Sequence, residues 1–308
     1  MNILITGGSG FIASHVADRF LTDGHTVTVI DSLSTGSRAN LPSRARLYEL
    51  DIRDPKISAV FEQEKPEIVC HHAAQLDVRV SMRDPLYDAD VNIQGSLRVI
   101  DLSVRHGVRK ILFASTGGAI YGEDCIPASE SDAPRPVSAY GVAKLSVEQY
   151  LHCFHVNYGI AYVALRYANV YGPRQNAHGE AGVVAIFAQK LLEGQPVTIN
   201  GDGGQTRDFV YVSDVVEANV QALHGNAVGA FNIGTGIETD INAVYRSLAH
   251  HAGTDGTPLY GPAKQGEQRR SVLDCGKAHE TLGWTPTVGL DAGMEKTIAF
   301  FRERMPSK

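Results

Sequence analysis

A β-branched run, Ile3 to Thr6, leads straight into Gly7-Gly8-Ser9-Gly10-Phe11-Ile12-Ala13, after which the pattern turns helical. Gly7 and Gly10 fall where a strand-to-helix turn must be tight and where the backbone has to approach a ligand closely, so a side chain would obstruct both. Ala13 takes the third position of such a fingerprint, where close packing of helix on strand asks for a small residue. A second run, Thr26 to Ile30, ends at Asp31, about twenty residues beyond the glycines. This order predicts a strand, helix and strand with a pyrophosphate on the helix N-terminus, whose N–H groups and dipole favour an anion. A carboxylate at Asp31 would accept hydrogen bonds from a ribose 2′-hydroxyl and repel a 2′-phosphate, which favours NAD over NADP. Asp51-Ile52, after the third run, is expected near the adenine; the plainer reading of Asp51 is a solvated acid capping a strand end.

Further apolar runs at Leu47 to Leu50, Ile68 to His71, Lys110 to Ala114 and Tyr162 to Leu165 are each followed by a helical pattern. Alternation of this kind predicts an α/β fold, a doubly wound parallel Rossmann sheet covered by helices on both faces. After Tyr167 the chain reads differently, with Gly172-Pro173, Gly201-Asp202-Gly203-Gly204 and Gly234-Thr235-Gly236 between shorter elements. Residues 1–167 are therefore expected to form the NAD-binding domain. Residues 168–308 would mainly form a smaller α/β substrate domain, with later segments free to return to the first sheet. The stretch His250 to Gly266 reads as an irregular connection.

The chain has 308 residues, 43% of them hydrophobic, which suffices for a large core. A formal charge of −6, with no cluster of Lys and Arg, argues against a nucleic-acid partner. The apolar run at the start breaks at Gly7, too early for a signal peptide or a membrane span, and no membrane partner is expected. Cys70, Cys125, Cys153 and Cys275 form no C-x-x-C pair and read as reduced thiols of a cytoplasmic protein. His71-His72, His152 with His155, and His250-His251 have no carboxylate or cysteine at matching spacing, so no metal is expected.

Tyr140 and Lys144 stand four apart, and on a helix they share one face. A buried lysine cation would lower the phenol's pKa from about 10 and make a tyrosinate available as a general base. A strand ending Phe113-Ala114-Ser115-Thr116 would place a hydroxyl at the carboxyl edge of the sheet, where open α/β sheets bind ligands. Either Thr116 or Ser115 could share a substrate proton with Tyr140; the plainer reading is that these hydroxyls cap the turn Gly117-Gly118.

Taken together, the glycine fingerprint, Asp31, His72-Ala73-Ala74, the Ser/Thr strand end before Tyr121-Gly122, and Tyr140-x-x-x-Lys144 resemble the extended short-chain dehydrogenase/reductase family. Within it they are most similar to the UDP-glucose 4-epimerases and their nucleotide-sugar relatives, over nearly the whole chain. The resemblance implies Tyr140 as base, Lys144 on the nicotinamide ribose and Thr116 as the proton-sharing hydroxyl. One residue more than usual precedes Tyr121-Gly122, which leaves Thr116 and Ser115 both open. It further implies NAD contacts from Gly7, Gly10, Phe11, Ile12, Asp31, Ser32, Thr35, Gly36, Asp51, Ile52, His72, Ala73, Ala74, Gln75, Asn92 and Tyr167, beside Tyr140 and Lys144.

Leu165 to Arg174, Gly204 to Val210 and Gly266 to Ser271 also resemble the epimerases, and imply a UDP-sugar held by Thr116, Gly117, Tyr140, Asn169, Val183, Asn200, Arg207, Glu267 and Ser271. Arg207 offers the planar fork suited to a diphosphate, against a surface ion pair with Asp208 as its plainer role. A second diphosphate arginine is expected just before Gly266-Glu267, where Lys264 and Gln265 stand; Lys264 or Arg269 would substitute. Ser271 resembles the family's gate against the sugar's 2-substituent, and a residue this small implies room for an N-acetyl group.

The activity implied is that of an isomerase inverting C4 of a UDP-hexose through a 4-keto intermediate, with a homodimer as the implied assembly. UDP-glucuronate is an alternative substrate, met by Arg174 or Arg83. Dehydratases and decarboxylases begin with the same oxidation, but the dehydratases' Asp-Glu pair is replaced here by Gly117-Gly118-Ala119. The non-enzymatic alternative, an NAD-binding sensor or scaffold, is opposed by the intact Tyr140, Lys144 and Thr116.

Overall fold

The computed structural model describes residues 1–177, 182–263 and 268–305. The six apolar runs are strands: β1 (Asn2–Thr6), β2 (Thr26–Asp31), β3 (Arg46–Glu49), β4 (Ile68–His71), β5 (Lys110–Thr116) and β6 (Ala161–Tyr167). Beyond them come β7 (Asn169–Tyr171), β8 (Thr198–Asn200), β9 (Thr206–Tyr211), β10 (Gly229–Ile233), β11 (Glu238–Asp240) and β12 (Leu259–Gly261). The main sheet has seven parallel strands in the order β10-β6-β5-β4-β1-β2-β3. The order reverses beside β1, so the glycine turn opens at the crevice where doubly wound sheets bind ligands.

The first half contributes helices α1 (Phe11–Thr22), α2 (Ile57–Glu64), α3 (Val78–Arg83), α4 (Pro85–Ala89), α5 (Ser96–Arg105), α6 (Gly117–Ile120) and α7 (Ala139–Tyr158). A wider π turn, Asp90–Gly95, joins α4 to α5. The second half adds α8 (Val183–Leu192), α9 (Val212–His224), α10 (Ile241–Ala252), α11 (Gly276–Leu282) and α12 (Leu290–Glu303). Among the described residues no helix is long and apolar enough to cross a membrane.

Successive side chains of a strand point to opposite faces, and here both faces are buried. On β5, Leu112 joins a core shared with Val16 and Phe20 of α1 and Val215 and Val220 of α9. Its neighbours Ile111 and Phe113 join the opposite core, with Phe61 of α2, Ile100 of α5 and Leu151 of α7. A third core, built on Tyr171, Phe187, Phe209, Leu248 and Met294, lies between the small sheet β11-β9-β7 and helices α8, α10 and α12.

Strand β10 pairs with β6 in parallel, Phe231 opposite Leu165. The chain thus leaves the main sheet after β6, builds part of the small sheet, and returns through α9, which packs on α1. The stretch from His250 to Gly266 is not wholly irregular: α10 continues to Ala252, and β12 pairs with β8, Tyr260 opposite Ile199. Three half-exposed residues carry too little alternation to announce a strand.

Lys110, only 8% exposed at the start of β5, ties the sheet to the end of α9. Its Nζ donates to the carbonyls of Ala222 at 2.9 Å and Leu223 at 3.3 Å, and to that of Gly225. Lys110→Met would leave buried carbonyls without donors, so the urea midpoint should fall by the equivalent of about 1–3 kcal/mol.

Candidate active site

Gly7 adopts φ +70°, and a Cβ there would meet the Ala73 backbone nitrogen at 2.7 Å. Its lack of a side chain is what lets the backbone after β4 pass over the end of β1. Gly10 is the N-cap of α1 and brings no side-chain cap, so the first-turn N–H groups at Phe11 and Ile12 meet no competing acceptor from it. Asp31, 7% exposed, accepts Ser9 N–H at 2.8 Å through Oδ2 and Leu33 N–H at 2.8 Å through Oδ1. Its carboxylate therefore stands fixed beside the turn. Ser32 and Thr35 are exposed on the following loop, where Gly36 passes so close to Ser9 that a Cβ would lie 2.9 Å from the serine's Cβ. Asp51 lies past β3 under the guanidinium of Arg53, at 2.8 Å, which holds its carboxyl below the usual range. Ile52 is buried against Gly95.

A buried polar chain fixes the segment after β4. Ser96 Oγ donates to the Asn92 carbonyl at 2.6 Å, so at its 2.8 Å contact with His71 Nε2 it accepts. Nδ1 of His71 is then the acceptor for the Thr6 hydroxyl at 2.6 Å, which in turn accepts Ala73 N–H at 3.3 Å. Burial pushes His71 down to about 3, consistent with a neutral ring in this chain. Asn92, in the π turn, accepts Gln75 N–H at 2.9 Å and donates to the Gln75 carbonyl at 2.8 Å. His72 stacks on Tyr167, whose hydroxyl accepts from Asn219 at 2.9 Å in the core behind the site. Ala74, next before Gln75 in the chain, is half-buried.

Ser138 caps α7, its Oγ accepting Gly141 N–H at 3.1 Å, so Tyr140 and Lys144 lie one helical turn apart on the same face. Gly141 lets this helix abut α6: a Cβ there would lie 2.3 Å from the Ala119 carbonyl. That contact seats the start of α7 against α6, the short helix that follows β5. Lys144 is 3% exposed, donates to the Ala114 carbonyl at 2.9 Å, and sits 4.8 Å from the Phe113 ring centre and 5.8 Å from that of Tyr140. Burial lowers its pKa to about 8.

The two strand-end hydroxyls part company. Ser115 is 4% exposed and donates to Glu148, within an ion pair in which Glu148 takes Arg166 Nη2 at 2.6 Å. Thr116 points to the other side of the strand, half-buried, and makes no side-chain cap for α6.

Of the residues expected to hold the substrate, Asn169 is exposed at the start of β7, with its Oδ1 3.8 Å from where a Cβ on Gly118 would be. Gly117 is pressed under Leu273, two residues beyond the half-buried Ser271. Arg207 is half-buried on β9 and donates to the Thr206 carbonyl at 2.7 Å. Asp208 turns inward and accepts from Thr235 N–H at 2.7 Å, Gly236 N–H at 3.0 Å and Leu273 N–H at 3.4 Å, tying the loop after β10 and the segment around Leu273 to β9. Arg269 makes a two-pronged pair with Asp202 at 2.7 and 3.0 Å, while its carbonyl accepts Thr206 N–H at 2.9 Å. Val183 opens α8 and Asn200 ends β8, both half-buried. Lys264 and Glu267 lie outside the described residues. Arg174 is paired with Asp18 of α1 at 2.7 Å, and Arg83 is exposed at the end of α3.

Sequence reasoning overlooked Asp88, Glu148 and Arg166, all at most 5% exposed. The available signal was a charged residue at an apolar position of a helix or strand, most visible in Arg166 between Leu165 and Tyr167 on a central strand.

Residues 3–234 match the family described as NAD dependent epimerase/dehydratase. A UDP-glucose 4-epimerase of Mycolicibacterium smegmatis is 42% identical over 312 residues, spanning 99% of either chain. The crystal structure of a UDP-glucose 4-epimerase with UDP-glucose from Thermotoga maritima superposes with TM-score 0.97 at 48% identity, covering 98% of this chain and 99% of that one. A Thermus thermophilus UDP-glucose 4-epimerase in complex with NAD gives 0.94 at 43% identity, covering 99% and 100%.

Proposed function

We propose that this chain, which belongs to the NAD dependent epimerase/dehydratase family, is a UDP-glucose 4-epimerase that inverts C4 of a UDP-hexose and keeps its NAD throughout. The observation carrying this reading is that Tyr140 and Lys144 share one face of α7, with Lys144 tied to the Ala114 carbonyl near the carboxyl end of β5.

The residues present fit the cofactor. The uncapped start of α1, the Asp31 carboxylate and the buried Ser9 hydroxyl, which has no partner among the described residues, make a cradle that a bound dinucleotide would complete. Gly7, Gly10, Phe11 and Ile12 would hold the pyrophosphate, Asp31 the adenosine ribose, and Tyr140 and Lys144 the nicotinamide side. When bound, NAD supplies the acceptor for hydride from C4 and the donor that returns it to the other face of the 4-keto sugar.

Tyr140 as phenolate accepts the proton of the 4-hydroxyl, and the Lys144 ammonium, one helical turn away, favours that phenolate by its charge. Thr116, free of the Ser115–Glu148–Arg166 cluster, shares that proton. Arg207 and Asn169 would grip the diphosphate, leaving the sugar free to turn over in the pocket. Arg269 is offered as a second diphosphate cation, exchanging its exposed partner Asp202 for phosphate; such a surface pair costs little to open. We place the enzyme in the cytoplasm as a homodimer through α4 and α7, supported by the exposed Leu86, Val142 and Tyr150.

The test is to incubate the purified protein separately with UDP-glucose, UDP-GlcNAc and UDP-glucuronate, without added cofactor, and resolve the products. UDP-galactose and UDP-GalNAc are expected; release of water or carbon dioxide would contradict the reading. Because Ser271 leaves room beside the sugar's 2-substituent, Ser271→Tyr should lower kcat/KM for UDP-GlcNAc by about tenfold or more and that for UDP-glucose far less.

A further inference from the structure

The buried carboxylate of Asp88 has no part in the chemistry described so far. It lies on α4, is 1% exposed, and accepts two side-chain amides at Oδ1: Gln75 Nε2 at 2.8 Å and Asn92 Nδ2 at 2.9 Å. Neither neighbour is charged. Asn92 and Gln75 are themselves joined backbone to side chain, so Asp88 stands at the centre of the knot that fixes the loop after β4 against the π turn. On its other side α4 packs on α7, the helix that carries Tyr140 and Lys144.

The groups facing Lys144 can be taken element by element. His71 and His72, at and just past the end of β4, are neutral, both pushed down to about 3. From β5 come the Phe113 ring and the Ala114 carbonyl, which are uncharged. From α7 come Tyr140 and Glu148, and Glu148 is already neutralised by Arg166. Asp88, from α4, is therefore the carboxylate left to balance the lysine. It sits on a helix packed against the one that carries Lys144 and favours the lysine's charged form; burial pushes the Asp88 carboxyl up on balance, while Lys144 reciprocally favours its charged form.

We propose that Asp88 is a positioning residue of the active site, whose charge keeps Lys144 protonated while its Oδ1 pins Gln75 and Asn92. Without that charge, burial would strip the lysine of its proton near neutral pH, and Tyr140 would lose the cation that makes it a base. The inference rests on the role given above to Tyr140 and Lys144.

Asp88→Asn separates the two duties, because an amide oxygen accepts the same two hydrogen bonds without the charge. In protein labelled with 13C-lysine, the Lys144 Cε resonance, assigned with Lys144→Met, should titrate about one pH unit or more lower in Asp88→Asn than in the wild type. The alkaline limb of the epimerisation profile should move in the same direction, since the active form is lost on lysine deprotonation. Unchanged thermal unfolding would accompany both shifts. Asp88→Ala, which also loses the two hydrogen bonds, should in addition release bound NAD more readily. A Lys144 midpoint that stays put in a folded Asp88→Asn overturns the proposal. The resonance reports whether or not the protein turns over any UDP-sugar, so absence of epimerisation by the wild type would count against the proposed function alone.

Discussion

Tyr140→Phe is expected to lower kcat by about two to four orders of magnitude while leaving the fold and the bound cofactor in place. In the proposed mechanism the phenol takes the 4-hydroxyl proton, and removing one oxygen deletes that proton acceptor without opening a cavity. The ring remains on α7, one turn from Lys144, so binding energy for the sugar and for NAD should change little. Initial rates of UDP-galactose formation, with KM and NAD content determined in parallel, provide the check. A variant that retained wild-type kcat would remove Tyr140 from the chemistry and revive the possibility of an NAD-binding protein without catalysis.

Arg166→Met should be the most destabilising of the substitutions considered, by about 3–5 kcal/mol, because it strands Glu148 as an unpaired charge. Both side chains are almost fully enclosed, 7% and 5% exposed, and the pair anchors Ser115 on β5 and Tyr121 beyond it. Tyr121 passes the connection to Asn232 of β10 at 2.8 Å. The cluster thus ties β5, β6 and β10 directly beneath the proposed site. Adding Glu148→Leu to Arg166→Met should recover much of the loss, since exchanging a whole buried ion pair for apolar groups is often neutral. Urea unfolding of the two single variants and the double variant measures the coupling; additive losses would show that the pair is not the source of the effect.

The Rossmann half was legible because its strands are buried on both faces and so read as unbroken apolar runs, and because the turn from Thr6 to Ala13 leaves few alternatives. Strand β10 was harder to see: Gly229-Ala230-Phe231-Asn232-Ile233 has a glycine and an asparagine in five residues. Asn232 is tolerated there because its amide donates to the carbonyls of Ala128 and Asp274, partners more than 40 residues away. The choice between Ser115 and Thr116 had the same character. Nothing local distinguishes adjacent hydroxyls, and the group that engages Ser115, Glu148, lies on a helix 33 residues later. Asp88 was passed over because a lone acid in a short helix resembles a solvated surface residue; only its packing among Gln75, Asn92 and α7 sets it apart. Arg269, expected beside Lys264 as a substitute for the second diphosphate arginine, pairs with Asp202, a partner 67 residues away that no local pattern announces.

In the proposed cycle hydride leaves C4, stays within the protein and returns to the same carbon. UDP-glucose deuterated at C4, incubated with the purified protein in ordinary water and without added NAD, tests it most directly. Mass and NMR analysis should find UDP-galactose with the deuterium still on C4. Galactose carrying hydrogen at C4, or a product that has lost water, would contradict it.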